Sequence, residues 1–522
     1  MIHLRTYLKN FIVYLIVGFV CYVSFFANML TNQYDGLWIF SFYISWDIEL
    51  PSGRWMLPFM DRLRYGYAGD PFSSYLALIF FAAGTVLLMD LMDVVQKRIS
   101  WLLGSCVMVC STVLSVLSYR FASSSYALSY ALSILAVWLV FRIDGSVRTR
   151  RLCCAGMTVA VTLSLGMYQM NLGITCFLVV ICLIRMLLAG RSYRDTGIFF
   201  TKSVVFTAAG MVIYKIIWDA VLRITGLEIS AYKGGGNVSV GGILSGLPGA
   251  VILVYKTFFG LLHTTSVRFS MFQPGKIYQA MIFLVIAMLC FLMIRLIQND
   301  LRRGLLCIVL LFLVPAAVFV VYIITPDAGE LLIHMTTPVM VMAPVFLALL
   351  LTDDALRLIP REQILRYMVY ALSVLIIYGR IYQTAGDLTV MMEGQKATET
   401  LIGSAVHTLI SDGYYQPEDI DDGTCYFFVG RPGDNPMFQK PALWNGANDE
   451  ARYGEFWVDE SMRLSYQGVL KNLGYHMNAA YWYDEYIYVT SLEEVQKMPL
   501  YPAEGSIRRI DGYVVIKISD IP

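Results

Sequence analysis

The chain has 522 residues, 57% of them hydrophobic and only 15% charged, with a mean hydropathy of +0.62. A single soluble core cannot absorb so much apolar surface, which excludes an ordinary globular protein and calls for a bilayer. The formal net charge of +1 hides an asymmetry: residues 390–522 hold 20 Asp/Glu against 10 Lys/Arg, or −10, leaving +11 for everything before. Two regions in different solvents are implied, and no nucleic-acid partner is expected.

In chain order, the first apolar run covers residues 11–30, of spanning length and without the small-residue cleavage pattern of a signal peptide. Further spanning helices are predicted at 72–91, 101–118, 123–141, 152–168, 171–188, 198–222, 278–297, 304–325, 336–352 and 367–385, about eleven in all. Lys and Arg mark alternate connections: Arg5 and Lys9, Lys97 and Arg98, Arg142 to Arg151, Arg185 to Lys202, Arg295 to Arg303, and Arg357 to Arg366. The short loops between offer only Arg120. By the positive-inside bias the N-terminus is cytoplasmic and the last helix delivers the acidic tail outside. This parity requires that residues 248–262 form a re-entrant or interfacial helix within an outer loop, 226–277, that also carries the flexible run GLEISAYKGGGNVSVGG. That run matches neither the Walker nor the dinucleotide fingerprint.

Two outer segments stand out. The first loop, 31–71, is rich in Trp, Tyr and Phe suited to a membrane interface, and its length marks it as functional rather than a plain connection. It carries Asp35, Asp47, Glu49, Asp61 and Asp70 together with Arg54, Arg62 and Arg64. These charges either pair with one another in a solvated loop, or place an acid on an aromatic surface where a raised pKa or a bound cation suits general-base or metal chemistry. The second segment, 391–522, predicts a small α/β domain, with strands in TCYFFVG and GYVVIKI and a Ser-capped helix start in SLEEVQKM. Its aromatics Trp444, Trp457, Tyr481, Trp482 and Tyr483 suit a core better than a ligand surface. Seven of the ten cysteines sit in apolar runs as small hydrophobes, and no zinc or disulfide framework is visible.

NQYDGLW, WDIELPSGRW and MDRLRYGYAGDPFSSYLALI resemble the opening of bacterial Gtr-type glucosyltransferases, multi-span enzymes of the GT-C superfamily. SYRFASSSYALSYALSILAVWL, SLGMYQMNLGI, SAYKGGGNVSV and PDAGELLIHMTTPVMVMAPV agree in order along the chain. Many members carry an acidic doublet after the first helix, whereas here Asp35 is followed by Gly36, which weakens a two-carboxylate metal site. The resemblance implies a GT-C-like membrane domain at 1–390. It also implies transfer of a sugar, glucose in the family, from a polyprenyl-phosphate donor to a cell-surface glycan such as O-antigen or cell-wall polysaccharide. The setting is the bacterial cytoplasmic membrane, with a flippase and a donor-synthesising enzyme as pathway partners, and with Mg or Mn left open as a cofactor.

Asp35 is then the expected base, contributing roughly 10²- to 10⁴-fold by activating the acceptor hydroxyl. The leaving phosphate carries charge and needs donors rather than a proton, for which Arg120, Arg268 and His263, with Lys256 and Lys215, are the candidates. Tyr168 and Gln169 could bind sugar hydroxyls or anchor the interface. Arg54 and Trp55 of the GRW element, with Asp61, Arg64 and Tyr232, complete the expected substrate-binding set. A transporter or flippase of lipid-linked sugars and a glycan polymerase are the alternatives. The first usually shows internal repeats and interrupted helices, the second a large basic outer loop late in the chain.

Overall fold

The computed structural model describes residues 2–32, 44–46, 48–67, 71–142, 145–230, 240–263, 274–325, 337–417, 423–456, 462–479 and 481–520. Among them, eight helices are long and apolar enough to cross a bilayer, or nine if one bent pair is a single span. The protein is therefore a mainly helical membrane protein with a small C-terminal sheet.

The first helices are α1 (Ile2–Ala27), α2 (Leu57–Leu63), α3 (Phe72–Leu91), α4 (Ile99–Met108), α5 (Ser111–Ser118), α6 (Ser123–Arg142), α7 (Val147–Met167) and α8 (Leu172–Leu188). Then come α9 (Tyr193–Thr225), α10 (Val240–His263), α11 (Pro274–Asn299), α12 (Leu301–Val318), α13 (Val320–Ile324), α14 (Thr337–Leu350), α15 (Asp353–Leu358) and α16 (Glu362–Ser411). Local chemistry sets several boundaries. Ser146 and Ser192 cap α7 and α9 by accepting from Thr149 N and Asp195 N, and Asp300 caps α12 from Arg303 N at 3.1 Å. At its far end α9 stops on Gly226, whose φ of 72° is a left-handed cap that glycine adopts without steric cost.

The run predicted as one span at 101–118 is instead two helices, α4 and α5, bent by 43° at Val109 and Cys110. A break inside a membrane helix leaves carbonyls that lipid cannot satisfy. Here protein does so. Tyr22 Oη donates to the carbonyls of Met108 and Cys110 at 2.9 Å each, Thr384 Oγ1 donates to that of Val109 at 3.2 Å, and Arg380 donates to that of Cys106.

Side-chain ties sort the helix ends into two layers. At the amino-terminal end, Asn10 Nδ2 reaches the Val95 carbonyl at 3.0 Å, and Lys97 bonds both the Leu351 carbonyl and Asp353 at 2.8 Å. Arg295 Nε donates to the Leu358 carbonyl in the same layer. Asp90 accepts from Trp138 Nε1 at 2.7 Å and from Arg142 at 2.9 Å, while Asp93 pairs with both Arg142 and Arg185. The opposite end, the loop end, holds the first loop and the junctions of α5 with α6 and α7 with α8.

Residues 248–262, expected as a short outer helix, belong to α10, 24 residues long and by length and composition able to cross. α9 delivers the chain at the loop end, where Ser230 N donates to the Pro51 carbonyl at 3.1 Å. α11 finishes at the amino-terminal end, and its 26 residues span about 39 Å, so it starts at the loop end. The ends of α9 and α11 that face α10 in the chain are thus both on the loop side. Tyr255 Oη fastens α10 to the Phe312 carbonyl of α12 at 2.5 Å.

α16 is 50 residues long and runs without interruption from the bundle into the C-terminal region, so the boundary expected at 390 falls inside one helix. Its last turns place Leu401, Ile402, Ala405, Val406 and Leu409 in the C-terminal core. That core is completed by α17 (Met462–Asn472), α18 (Tyr483–Ser491), α19 (Glu493–Gln496) and a sheet of β1 (Tyr426–Val429), β2 (Ile507–Ile510) and β3 (Tyr513–Lys517). The strand order is β1-β3-β2, with β1 parallel and β2 antiparallel to β3. β1 and β3 fall where predicted, and β2 was not foreseen. The Ser cap of SLEEVQKM is not formed: Leu492 precedes α19, and Ser491 closes α18 with its hydroxyl on the Tyr488 carbonyl. Tyr481 stacks on Phe427 at 3.8 Å and Trp444 is buried, as a core role requires, whereas Trp482 is 65% exposed.

Candidate active site

The Pro-Ser-Gly turn of the first loop is the point about which the loop end is organised. Gly53 has a φ of +83°, and its amide closes the turn on the Leu50 carbonyl at 3.0 Å. A Cβ there would overlap the Tyr214 hydroxyl and lie 2.7 Å from Gln169 Nε2, so glycine is required by space as well as by conformation. Backbone groups freed by the turn are taken up by other helices. Gln169 Nε2 donates to the Ser52 carbonyl at 2.8 Å and to Tyr214 Oη at 3.1 Å, and Trp218 Nε1 donates to the Leu50 carbonyl at 2.7 Å. Met56 N donates to the Gly166 carbonyl at 2.9 Å. The loop is thereby stitched to α9 and to the α7–α8 corner.

Aromatic rings line the next layer. Tyr126 and Tyr168 stack at 4.4 Å, and the Arg54 guanidinium lies 5.8 and 6.0 Å from their ring centres, within cation–π range. Trp55 packs on Gly166, where a Cβ would come within 2.7 Å of its ring. The indole N–H of Trp55 is buried and has no hydrogen-bond partner among the described residues. Nearby on α9, Lys215 pairs with Asp219 and stands 4.9 Å over the Trp218 ring, a local bridge beside the stitched turn.

A second knot ties the loop to the α5–α6 corner. Asp61, 1% exposed, accepts from Ser45 N at 2.8 Å and from Arg64 at 2.7 Å, and Arg64 also donates to the Phe121 carbonyl. Burial raises the Asp61 carboxyl above the ordinary carboxylate range, outweighing Arg64 and the Ser45 amide, which lower it. Arg120, also 1% exposed, donates to the Met29 carbonyl at 3.0 Å. Asn32 Nδ2 donates to Ser118 Oγ at 3.1 Å. The end of α1, the corner at 118–121 and the second half of the loop therefore meet.

Of the residues singled out from sequence, Arg54, Trp55, Tyr168 and Gln169 come together in one cluster, and Asp61 with Arg64 and Arg120 in an adjoining one. Asp35, Tyr232 and Arg268 lie outside the described residues, as does the His263 side chain; Asn32 is the nearest described residue before Asp35. Lys256 is exposed on α10. Gly53, Tyr126, Tyr214 and Trp218 were not foreseen. The Pro-Ser-Gly signal could have flagged the first, and the spacing of Tyr214 and Trp218, one turn apart on a helix, the last two. Among the described residues no group of three or more His, Cys, Asp or Glu side chains is placed to hold a metal ion.

Crossing helices with an aromatic loop stitched to one end define a polytopic membrane protein. Residues 38–352 match the family model described as Glucosyl transferase GtrII, well over half of the chain, and the protein belongs to that family. It is a membrane glycosyltransferase. The match begins three residues after Asp35 and ends before α15, leaving the C-terminal region outside it. Comparison with the curated proteins gives no match, and neither does comparison with the solved structures.

Proposed function

We propose that the protein transfers a glucosyl group from a polyprenyl-phosphate donor to a cell-surface glycan, on the outer face of the bacterial cytoplasmic membrane and with inversion at the anomeric carbon. The observation that carries this reading is the family match together with the gathering of the first loop, the α7–α8 corner and the C-terminal region at one end of the bundle. In the proposed reaction the acceptor hydroxyl attacks the anomeric carbon, its proton passes to the Asp35 carboxylate, and the lipid phosphate leaves from the opposite face carrying the bond electrons. Arg54 on its tyrosine pair and Arg120 at the α5–α6 corner are the cations proposed to offset the leaving charge. Tyr168, Gln169 and the Trp55 indole are proposed to position the sugar.

In this reading the helices cross eleven times, α10 enters the bundle as a re-entrant helix from the outer side, and the amino-terminal end faces the cytoplasm. Supporting it are the loop-side attachment of both neighbours of α10 and the concentration of Arg and Lys at the other end. The transporter reading has one specific observation in its favour, the broken helix α4–α5. The freed carbonyls there are held by Tyr22, Thr384 and Arg380 rather than facing a pathway, which favours transfer chemistry.

The test is to incubate purified protein with radiolabelled polyprenyl-phosphate glucose and total cell-wall glycan. Glucose is expected to appear on the glycan with the wild type and to be lost with Asp35→Asn. No transfer to any acceptor would favour transport, and unchanged transfer by the variant would remove Asp35 as the base.

A further inference from the structure

At the amino-terminal end of the bundle, away from the loop that carries the proposed chemistry, lies a cleft of about 470 Å³ lined by Tyr193, Arg302, Leu305, Leu306 and Val309. Its walls are two helix starts. Tyr193 opens α9 directly after the Ser192 cap, and Arg302 lies in the first turn of α12 after the Asp300 cap. Leu305, Leu306 and Val309 follow one and two turns deeper, and all three are exposed. The Arg303 guanidinium sits 5.7 Å from the Tyr193 ring centre and pairs with Asp300 at 3.1 Å, which fixes the wall between them. Arg302 is different. Among the described residues no carboxylate lies within ion-pair distance of it, and the stretch around Tyr193, with Arg191, Arg194 and Asp195 all exposed, carries a net positive charge.

We infer that this cleft binds an anionic glycerophospholipid of the surrounding bilayer, with the phosphate on Arg302 and one acyl chain along Leu305, Leu306 and Val309. A guanidinium presents a planar fork that matches two phosphate oxygens, and it is weakly hydrated enough to do so at an interface. The aliphatic floor selects the source of that phosphate. On a crossing helix the three exposed branched side chains face the acyl chains of the bilayer, so the phosphate held beside them is that of a lipid. Basic pockets between membrane helices recognise anionic headgroups by this combination, and each cation near the surface contributes about a fivefold preference. Tyr193, with an apolar ring and a polar tip, suits the boundary between headgroup and chain. The inference rests on the membrane nature of α9 and α12 and does not depend on the proposed reaction.

Native mass spectrometry of the detergent-purified full chain tests it, with phosphatidylglycerol and phosphatidylcholine of the same acyl chains offered together. The wild type is expected to retain phosphatidylglycerol preferentially, and Arg302→Gln to lower that retention about fivefold. Arg357→Gln removes the same charge from an exposed position at the same end that is outside the cleft and already paired with Asp354, and is expected to lower retention much less than Arg302→Gln. Leu306→Trp fills the floor and is expected to lower retention of both lipids while thermal unfolding in detergent stays at the wild-type temperature, so the inference remains testable even where Arg302→Gln fails to fold. Equal retention of the two lipids by the wild type, equal effects of Arg302→Gln and Arg357→Gln, or displacement of the lipid by inorganic phosphate would each overturn the assignment.

Discussion

The two ends of the helical bundle are held together by different forces. At the amino-terminal end, beside the local pairs of Asp300 with Arg303, Asp354 with Arg357 and Glu362 with Arg366, several ion pairs join helices distant in sequence: Asp90 with Arg142, Asp93 with Arg142 and Arg185, and Lys97 with Asp353, which that contact keeps below the usual carboxylate range. At the loop end the described pairs, Asp61 with Arg64 and Lys215 with Asp219, are local to one segment. The long-range ties there are hydrogen bonds into backbone carbonyls and ring contacts. Charge braces one end, and directional contacts place a loop at the other. Changes at the first end should therefore cost stability, and changes at the second should cost transfer.

The largest effect expected on that contrast is at Asp35. Asp35→Asn should reduce transfer roughly 10²- to 10⁴-fold with no change in thermal unfolding. A parallel fall in stability would mean that the loop end is braced like the other. Next comes Asp90→Ala, which strands the Trp138 N–H and removes one of the two carboxylates that hold Arg142. It should lower stability by about 2–4 kcal/mol in detergent unfolding, while the protein that remains folded transfers at the wild-type rate.

Gly53→Ala sharpens the comparison from the other side. A left-handed φ and an overlap with Tyr214 together cost about 1–3 kcal/mol. Because the turn is the loop's anchor, the expected readout is a transfer rate down about tenfold, with the C-terminal core unchanged by limited proteolysis. Trp218→Phe removes one tie to the Leu50 carbonyl and should cost about 1 kcal/mol of loop docking, seen as faster hydrogen exchange over residues 48–56.

The smallest effect is a pH slope. Burial raises the Asp61 carboxyl in the folded state, so folding takes up a proton there. The stabilisation is present in full below the unfolded value of about 3.9 and is lost as pH rises through the folded value. Unfolding of the wild type should show that decline, and Asp61→Asn should flatten it.

Much of this was legible in the sequence because lipid imposes simple rules. Runs of apolar residues marked most helices to within a few positions. The break at Val109 and Cys110 was hidden because neither Pro nor Gly marks it. Partners for the freed carbonyls arrive from Tyr22, Arg380 and Thr384, more than 80 residues away in the chain. α16 was underestimated for a related reason. Its polar second half carries no hydropathy signal, and it stays helical because its apolar side chains enter the C-terminal core. At the site, Arg54, Trp55, Tyr168 and Gln169 were named from the loop and corner motifs, but the turn at Gly53 that assembles them depends on Tyr214 and Trp218 of a distant helix. β2 escaped notice because Arg508 and Arg509 interrupt its apolar alternation, both facing outward between buried Ile507 and Ile510.

The claim that the first loop, the C-terminal region and the chemistry share the outer face is tested most directly by cysteine accessibility. In a variant with the ten native cysteines replaced, Trp482→Cys and Arg357→Cys place single thiols on exposed residues of the C-terminal region and the amino-terminal end. A membrane-impermeant maleimide on intact spheroplasts is predicted to label the first at once and the second only after permeabilisation. The reverse pattern would contradict the account.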